Sequence, residues 1–325
     1  MKGGEAVPRI AVVEGDGIGQ EVIPVAREIL GAVRPDLEFF PVEVGYGRWE
    51  RTGEAITSTD IKAMKEADAV LFGAVTTPPD PNYRSVVVRM RKDLDLYANV
   101  RPVKGNAADI VIVRENTEGL YAGIEEVGPD RATTLRVITR KGSERIARFA
   151  SNLAKSRRHL TIGHKANVIK ADTLFRDICI SVSKEVGVAY RDKFIDALCL
   201  DILQHPSEYD VIVTENMFGD ILSDVAAYLV GGLGMLPSAN IGDRYSLFEP
   251  VHGSAPKHAG RNTANPIAAI RSGAMLLEHL GDRENAERIE RAVERTLASG
   301  LKTRDLGGKA GTKEMGKAIL SALNR

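Results

Sequence analysis

The chain has 325 residues, of which 43% are hydrophobic and 27% are charged, a composition typical of soluble globular proteins. This length can bury a sizeable core and divide into two domains. Lysine plus arginine equals aspartate plus glutamate at 44 each, so no global field attracts the chain to nucleic acid or to an anionic membrane. Any site for an anion must therefore be local.

Targeting and redox signals are sparse. Residues Met1 to Pro8 lack the apolar core of a signal peptide, and no uncharged apolar run is long enough to span a membrane. Cys179 and Cys199 lie in apolar runs and form no close pair suited to zinc or redox chemistry. We expect two core cysteines in a cytoplasmic, reducing compartment, with no membrane or nucleic-acid partner.

The first third alternates apolar strand-like runs with helical patterns, which predicts a mostly parallel sheet with helices on its faces. The predicted strands are Arg9–Glu14, Leu37–Val44 and Asp68–Val75, and the predicted helices are Ile18–Val33 and Ser58–Glu66. Thr76–Pro81 contains three prolines and is predicted to be a loop.

The middle has a different texture, with strand candidates that no long helix separates, which predicts antiparallel pairing. These candidates are Ile110–Arg114, Leu120–Glu125 and Thr133–Thr139. Helices are then predicted at Ser143–Lys155, Asp172–Val186, Ile195–Gln204 and Phe218–Val230, and strands at Leu160–His164, Val188–Phe194 and Asp210–Val213. The last third is predicted to end in two helices, Ala264–Leu280 and Arg283–Ala298. A second domain inserted in the first would explain this change of texture.

Asp220 and Asp224 are four residues apart, so on a helix they would lie on one face, where like charges repel unless a cation sits between them. Carboxylate oxygens suit Mg²⁺ or Mn²⁺, and Asp196 at the start of its own helix could complete the set. Spacing alone favours equally a structural interpretation, in which Asp220 caps a helix and Asp224 is solvated.

Three arginines, Arg91, Arg101 and Arg114, could grip the carboxylates of a dianionic substrate, because guanidinium binds carboxylates bidentately. Surface arginines are the ordinary alternative. Lys165 follows an apolar strand and could act as a general base, and Tyr121 could donate a proton, although residues of both types at such places are more often structural.

Gly15-Asp16-Gly17-Ile18-Gly19 follows the first predicted strand and precedes a helix. The pattern lacks the glycine spacing of the dinucleotide fingerprint, and no acidic residue ends the second strand in the expected setting. It therefore predicts a tight strand-to-helix turn and is weak evidence for a Rossmann site.

Together these segments resemble the β-decarboxylating dehydrogenase family of isopropylmalate, isocitrate and homoisocitrate dehydrogenases, with 3-isopropylmalate dehydrogenase the nearest pattern. The resemblance runs from Glu14–Gly19 to Asp305–Gly308. Between them lie Arg91–Pro102, Arg114–Tyr121, His164–Val168, Asn216–Asp224 and Phe248–Pro256. No single motif is decisive, but this many in this order is highly specific.

The resemblance implies an α/β fold of two domains with a central mixed sheet, not a Rossmann fold, in a homodimer with shared active sites. Residues 1–96 and 231–325 would form the large coenzyme-side domain, and 97–230 the small dimerisation and catalytic domain. The activity implied is oxidative decarboxylation of 3-isopropylmalate to 2-oxo-4-methylpentanoate with reduction of NAD or NADP, a step of leucine biosynthesis.

The resemblance also implies residue roles. Arg91, Arg101 and Arg114, with Val88 and Asn167, would bind substrate. Asp220 and Asp224 would hold Mg²⁺ or Mn²⁺ together with Asp196 of a second copy, and Lys165, also from that copy, would take the hydroxyl proton. Tyr121 would protonate the enol left after CO₂ departs. The coenzyme would be bound by Gly234, His252, Gly253, Ala255, Lys257, His258 and Asn265.

Substrate choice is expected in the segment before Arg91, where Val86-Val87-Val88 offers apolar walls that fit an isopropyl group and leave a third carboxylate unpaired. Arg84 could instead meet a longer substrate's acid, so homoisocitrate or isocitrate, with broad specificity, is the alternative. Lys257 stands where NAD-linked relatives usually carry aspartate. Lys257, His258 and a partner's His205 therefore favour NADP slightly.

Two interpretations from other classes remain. A Mg²⁺-dependent phosphoryl-transfer enzyme would use the same carboxylates and basic residues, but the chain has no Walker-type loop. A non-catalytic regulatory subunit is disfavoured because every catalytic residue type is present.

Overall fold

The computed structural model describes residues 7–80 and 82–324. In chain order its strands are β1 (Arg9–Gly15), β2 (Glu38–Pro41), β3 (Ala69–Ala74), β4 (Ala98–Gly105), β5 (Ala108–Glu115), β6 (Glu125–Val127), β7 (Ala132–Thr134), β8 (Leu160–His164), β9 (Tyr190–Phe194), β10 (Val211–Thr214), β11 (Pro237–Ile241) and β12 (Ser246–Pro250). Its helices are α1 (Gly19–Val33), α2 (Tyr46–Thr52), α3 (Ser58–Lys65), α4 (Val86–Asp93), α5 (Arg140–Lys155), α6 (Ala171–Val186), α7 (Ile195–Gln204), α8 (Asn216–Ala227), α9 (Ile267–His279), α10 (Arg283–Ala298) and α11 (Thr312–Leu323). Over those residues, every helix is too short or too polar to cross a membrane.

The chain divides into two compact units. The first comprises the chain up to Leu94, the segment Leu233–Ala239 and the chain from Arg244 onward. The second comprises Asp95–Gly232 and Asn240–Asp243. Strand β11 therefore begins in the first unit and ends in the second.

In the first unit the strands follow the order β2-β1-β3-β12-β11, and β1 is parallel to both β2 and β3. This order differs from the 3-2-1-4-5-6 order of a Rossmann sheet. Apolar residues of β1 and β3 are buried together with one face of α1, so the periodic patterns correctly predicted these elements. The loop predicted after β3 is confirmed over residues 76–80, and Pro81 lies outside the described residues.

The glycine-rich turn after β1 forms as predicted. Gly15 and Gly17 have φ angles of 72° and 61°, and α1 begins at Gly19. A Cβ at Gly17 would lie 2.0 Å from the carbonyl oxygen of Ser254, so both the backbone angle and the space require glycine. This turn therefore lies directly against the segment Gly253–Pro256.

In the second unit the strands follow the order β4-β5-β10-β8-β9. β4 and β5 are antiparallel, whereas the β5–β10, β10–β8 and β8–β9 pairs are parallel, which makes the sheet mixed. Side chains of the sheet pack with Ile146 and Ala150 of α5 and Phe175 of α6 in one core. Cys179 belongs to this core as predicted, but Cys199 is only partly buried.

Some predicted elements are wrong, and some observed elements were not predicted. Leu120–Glu125 is not a strand, because Gly119 and Gly123 take φ angles of 81° and 71° around a single 3₁₀ turn. The antiparallel partner of β5 is β4. This strand was not predicted, because it contains Pro102 and proline is unusual within a strand. The short helices α2 and α4, the strands β11 and β12, and the C-terminal helix α11 were not predicted.

Candidate active site

A cluster of charged side chains in the second unit joins β4, β5 and α8. Arg114, at the end of β5, is 1% exposed, and its guanidinium contacts the Asp220 carboxylate. Its Nε and Nη2 atoms also donate to Asn216 Oδ1, at 3.0 and 2.7 Å. A Cβ at Gly219 would lie 2.7 Å from Arg114 Cβ, so this glycine allows α8 to approach β5 closely. The buried arginine is therefore held by α8 itself.

Arg101 of β4 reaches the same carboxylate. Its Nη1 lies 3.3 Å from Asp220 Oδ1 and 3.9 Å from Asp224 Oδ1. Asn99 and Ser223 fix the guanidinium by accepting hydrogen bonds of 2.7 and 2.6 Å. Two of the three predicted substrate arginines thus converge on the predicted metal carboxylates.

Asp220 and Asp224 lie one turn apart in the interior of α8. The helix is capped by Glu215, which accepts from the backbone N–H of Phe218, so the alternative that Asp220 caps the helix is wrong. The Asp224 side chain is 57% exposed, as the structural alternative expected. Partial burial of its carboxylate, together with Asp220, raises the pKa of Asp224, although Arg101 opposes the shift. Two carboxylates at this spacing supply oxygen donors of the kind that Mg²⁺ and Mn²⁺ prefer.

Tyr121 lies beside this cluster on the 3₁₀ turn. Its hydroxyl donates to Asp220 Oδ2 at 3.1 Å, and the Arg114 guanidinium lies 5.4 Å from the centre of its ring. The side chain is 40% exposed. A phenol held between a cation and a carboxylate can serve as a proton donor.

Lys165 and Asp196 form a separate pair in the same unit. Lys165 follows β8, and its Nζ lies 2.7 Å from Asp196 Oδ1 in the first turn of α7. The hydrogen bond from Lys165 lowers the pKa of Asp196. Asn167 is exposed two residues beyond Lys165. Over residues 7–80 and 82–324, no three carboxylate, histidine or cysteine side chains are grouped to hold a metal, so Asp196 does not join Asp220 and Asp224 within one chain.

In the first unit, Arg91 lies in α4, and its Nη2 is 3.6 Å from Glu249 Oε1. The segment Val86–Arg91, where substrate choice is expected, is helical, and Val86 is completely buried in the core. Of the three valines, only Val87 and Val88 could therefore line a substrate site. Both lie on the same helical face as Arg91, because they precede it by four and three residues.

The residues predicted to bind the coenzyme also lie in the first unit. Gly234 lies against Asn265 and Asp305, and Asn265 Nδ2 donates to Asp305 Oδ2 at 2.9 Å. The Nδ1 atom of His252 lies 3.0 Å from the Gly253 carbonyl oxygen, and we assign the ring proton to this atom. His252 Nε2 is then a buried acceptor without a partner among the described residues. Burial lowers the pKa of His252, which favours this neutral form.

The neighbouring loop holds the remaining coenzyme candidates. Ala255 has a φ angle of 38°, in the left-handed region that alanine rarely adopts. Such strain is commonly found at ligand sites. Lys257 and His258 follow it in a short 3₁₀ turn, and both are exposed.

Asp16 connects three segments of the first unit, a role that the sequence did not reveal. Its carboxylate accepts backbone N–H groups from Tyr46, Gly47 and Thr76, at 2.7, 2.9 and 2.9 Å. Thr76 in turn hydrogen-bonds Ser254 through the two hydroxyls, 2.8 Å apart. The Gly-Asp-Gly motif marked this position, but the sequence did not show which loops meet there.

Comparisons with known proteins identify the family and the fold. Residues 9–319 match the family model described as isocitrate/isopropylmalate dehydrogenase. The chain belongs to the isocitrate/isopropylmalate dehydrogenase family. Members of this family are β-decarboxylating dehydrogenases that depend in general on a metal ion and NAD(P). The chain is therefore an enzyme of this kind, which acts on a small molecule. The interpretation as a phosphoryl-transfer enzyme is wrong.

Relatives at similar identity carry different substrate names. The 3-isopropylmalate dehydrogenase of Methanothermobacter thermautotrophicus is 47% identical over 96% of this chain and 97% of its own. The isocitrate/homoisocitrate dehydrogenase of Thermus thermophilus is 46% identical over 97% of this chain and 98% of its own. A β-decarboxylating dehydrogenase structure from Thermococcus kodakarensis superimposes with a TM-score of 0.88 at 47% identity, covering 98% and 96% of the two chains. The predicted fold is thereby confirmed.

The carboxylate pair generates a prediction on metal dependence. We expect Asp220→Asn to weaken binding of Mn²⁺ at least tenfold and to abolish most turnover. Because the pKa of Asp224 is raised, protons should compete with the cation at a pH above the usual titration range of aspartate, so affinity should fall as the pH is lowered.

Titration calorimetry with Mn²⁺ at several pH values, and turnover before and after EDTA, measure both effects. Glu294→Gln removes an exposed carboxylate from α10 and should change neither. Full activity in EDTA would disprove the metal assignment.

Proposed function

We propose that this chain oxidises 3-isopropylmalate at C2 and releases its β-carboxylate as CO₂, giving 2-oxo-4-methylpentanoate and reduced coenzyme. The observation that carries this choice is the face of α4, where Val87 and Val88 accompany Arg91. An apolar surface beside a carboxylate-binding arginine fits a branched alkyl group on a malate backbone. A third carboxylate placed against these valines would lose hydration beside apolar side chains, which costs several kcal/mol unless Arg84 pairs with it.

The substrate carboxylates would bind Arg91, Arg101 and Arg114. The last two are buried and held rigidly by side chains of their own unit, so little conformational entropy is lost on binding. Asp220 and Asp224, with Asp196 of a second copy, would hold Mg²⁺ or Mn²⁺. When bound, the cation would supply Lewis-acid polarisation of the substrate oxygen at C2, and the nicotinamide coenzyme would supply the hydride acceptor.

Proton movements fall to the side chains of the chain itself. Lys165 would take the hydroxyl proton, and Asp196, 2.7 Å away, orients its amine. Tyr121 would protonate the carbon that loses CO₂, and the guanidinium of Arg114 beside its ring favours the resulting phenolate. General acid and base catalysis of this kind contribute about 10²–10⁴-fold each.

A homodimer would bring Lys165 and Asp196 of one copy to Asp220 of the other. Among the described residues, every exposed large apolar side chain except Val7 belongs to the second unit. These side chains are Tyr121, Ile124, Val127, Leu135, Val168, Leu174, Phe194, Leu200, Ile221 and Tyr228. Val168 and Phe194 flank the Lys165–Asp196 pair in sequence, and Ile221 lies beside Asp220. Burial of this apolar surface in a twofold interface would favour dimerisation.

The coenzyme would lie against the loops after β1, β3 and β12, with His252 Nε2 offering an acceptor to it. Lys257 favours a phosphorylated ribose over a free hydroxyl pair, so we propose that NADP is used at least as well as NAD. The exposure of Lys257 leaves it accessible to such a phosphate.

The first prediction of this proposal concerns the substrate. Among isopropylmalate, homoisocitrate, isocitrate and malate, kcat/KM should be highest for isopropylmalate. Val88→Arg should shift the preference at least tenfold toward the tricarboxylic substrates, whereas Val88→Leu should preserve it, because only arginine pairs with a third carboxylate. A wild-type kcat/KM for isocitrate equal to or above that for isopropylmalate would contradict the assignment.

The second prediction concerns the shared site. Lys165→Ala and Tyr121→Phe homodimers should both be nearly inactive, whereas a mixture that exchanges subunits should recover about a quarter of wild-type activity. Half of the dimers are then mixed, and each mixed dimer has one intact site of two. A mixture of Lys165→Ala with Asp196→Asn should recover no activity. Both residues are supplied to a site by the same copy, so each site of a mixed dimer still lacks one of them. Absence of recovery in the first mixture, with exchange verified by mass spectrometry, would refute the shared-site model.

The third prediction concerns the coenzyme. Lys257→Asp should shift the NADP/NAD preference toward NAD by tenfold or more, since a charge-assisted contact to phosphate contributes about 1.5–3 kcal/mol. Steady-state kinetics with both coenzymes measure the ratio. Lys155→Asp makes the same charge change at an exposed position of α5 and should leave it unaltered. A wild-type kcat/KM for NAD well above that for NADP would show that Lys257 does not recognise the phosphate.

A further inference from the structure

Arg136 is a buried cation in the second unit that none of the roles above uses. Its Nη1 lies 2.5 Å from Asp172 Oδ1, and its Nη2 lies 3.4 Å from Glu215 Oε1. The three side chains are 12%, 1% and 2% exposed. The guanidinium also lies 5.3 Å from the centre of the Phe218 ring. A buried arginine thus balances the charges of two buried carboxylates, one at the start of α6 and the other at the start of α8.

Asp172 connects Arg136 to the loop of Lys165. It lies in the first turn of α6, and its Oδ2 accepts the backbone N–H of Lys165 at 2.6 Å. One carboxylate therefore pairs with Arg136 through one oxygen and holds the main chain of Lys165 through the other. A displacement of Asp172 would displace the proposed general base.

Glu215 connects Arg136 to α8. As the cap of this helix, it sets where the turn bearing Asp220 begins. Its Oε2 would lie 3.0 Å from a Cβ at Gly119, so it also contacts the loop of Tyr121. Val137, next to Arg136 in sequence, exchanges backbone hydrogen bonds with Gly119 at 2.8 and 3.3 Å. The same short segment therefore borders the loops that carry Tyr121 and Lys165 and the start of the helix that carries Asp220.

The charge balance makes Arg136 necessary to this arrangement. Burial raises the pKa of Glu215, and Arg136 opposes that shift while Asp172 adds to it. Without the arginine, Asp172 and Glu215 would be two buried carboxylates without a cation between them, which is strongly unfavourable. They would separate or take up protons, and the loops that they hold would move.

We propose that Arg136 is a positioning residue for the dehydrogenase reaction, which through Asp172 and Glu215 sets the relative placement of Lys165, Tyr121 and α8. This inference rests on the proposed roles of those three elements. In a dimer with shared sites, each Arg136 would position two elements of its own copy: Lys165, which serves the site of the partner copy, and α8, which serves the site of its own copy.

The contacts of Arg136 depend on its positive charge more than on the planar geometry of its guanidinium group. Among the described residues none of its three nitrogen atoms makes a hydrogen bond of good geometry, although the ion-pair distances are short. A lysine, which is a point charge on a flexible stem, can preserve such contacts. Arg136→Lys should therefore retain the function that Arg136→Met loses.

The test compares these two variants in the intact enzyme. Arg136→Met should lower kcat about tenfold or more while KM for the substrate stays within about threefold, since misplacement of a catalytic group by 1 Å can cost about 10²-fold in rate. Arg136→Lys should recover kcat to within about threefold of wild type. Arg157→Met is the matched control, because Arg157 pairs with the buried Asp210 at 2.5 Å, away from the catalytic loops, and its loss should lower Tm with kcat retained.

Three results would overturn the proposal: an unchanged kcat in Arg136→Met, an equal loss in Arg136→Lys, or an equal kcat loss in Arg157→Met. If Arg136→Met does not fold, Asp172→Asn replaces it. This variant keeps an acceptor for the Lys165 N–H but removes the ion pair, and an unchanged kcat there would also overturn the idea. Each variant is assayed with the substrate that the wild type turns over fastest, so a wrong substrate assignment and a wrong role for Arg136 give different results.

Discussion

The second unit is organised around a charge that cannot be buried alone. Arg114 is almost completely enclosed at the end of β5, where an unpaired guanidinium would cost several kcal/mol. Asp220 and Asn216 of α8 satisfy it, and Gly219 allows the helix to come close enough to do so. The position of α8, and with it that of Asp224, is therefore set by the need to pair this arginine.

The same cluster is electrically balanced. The two positive charges of Arg101 and Arg114 face the two negative charges of Asp220 and Asp224. If this cluster is the substrate and metal site proposed above, a dianionic substrate entering with a divalent cation would leave this balance unchanged, whereas either one alone would leave the cluster charged. Joint binding of the two is therefore electrostatically favoured over binding of either one separately.

Much of the fold could be predicted from residue patterns, because buried strands such as β1 and β3 are apolar runs and α1 has a clear helical period. β4 was missed because a proline interrupts its pattern, and the turn around Tyr121 was mistaken for a strand. At the site, the family resemblance assigned Arg101, Arg114 and Asp220 to one substrate and metal site, and the structure places these three side chains in contact. The contact between Tyr121 and Asp220 links residues 99 positions apart, and such pairing depends on tertiary packing that no local pattern encodes.

Asp16 couples the opening of two segments of the first unit. One carboxylate accepts the backbone N–H groups of Tyr46 and Gly47 in the first turn of α2 and of Thr76 in the loop after β3. Exchange of these amide protons with solvent requires that the same side chain release them. The start of α2 and the loop after β3 should therefore open as one cooperative unit, with shared protection from exchange, although no backbone hydrogen bond needs to join them.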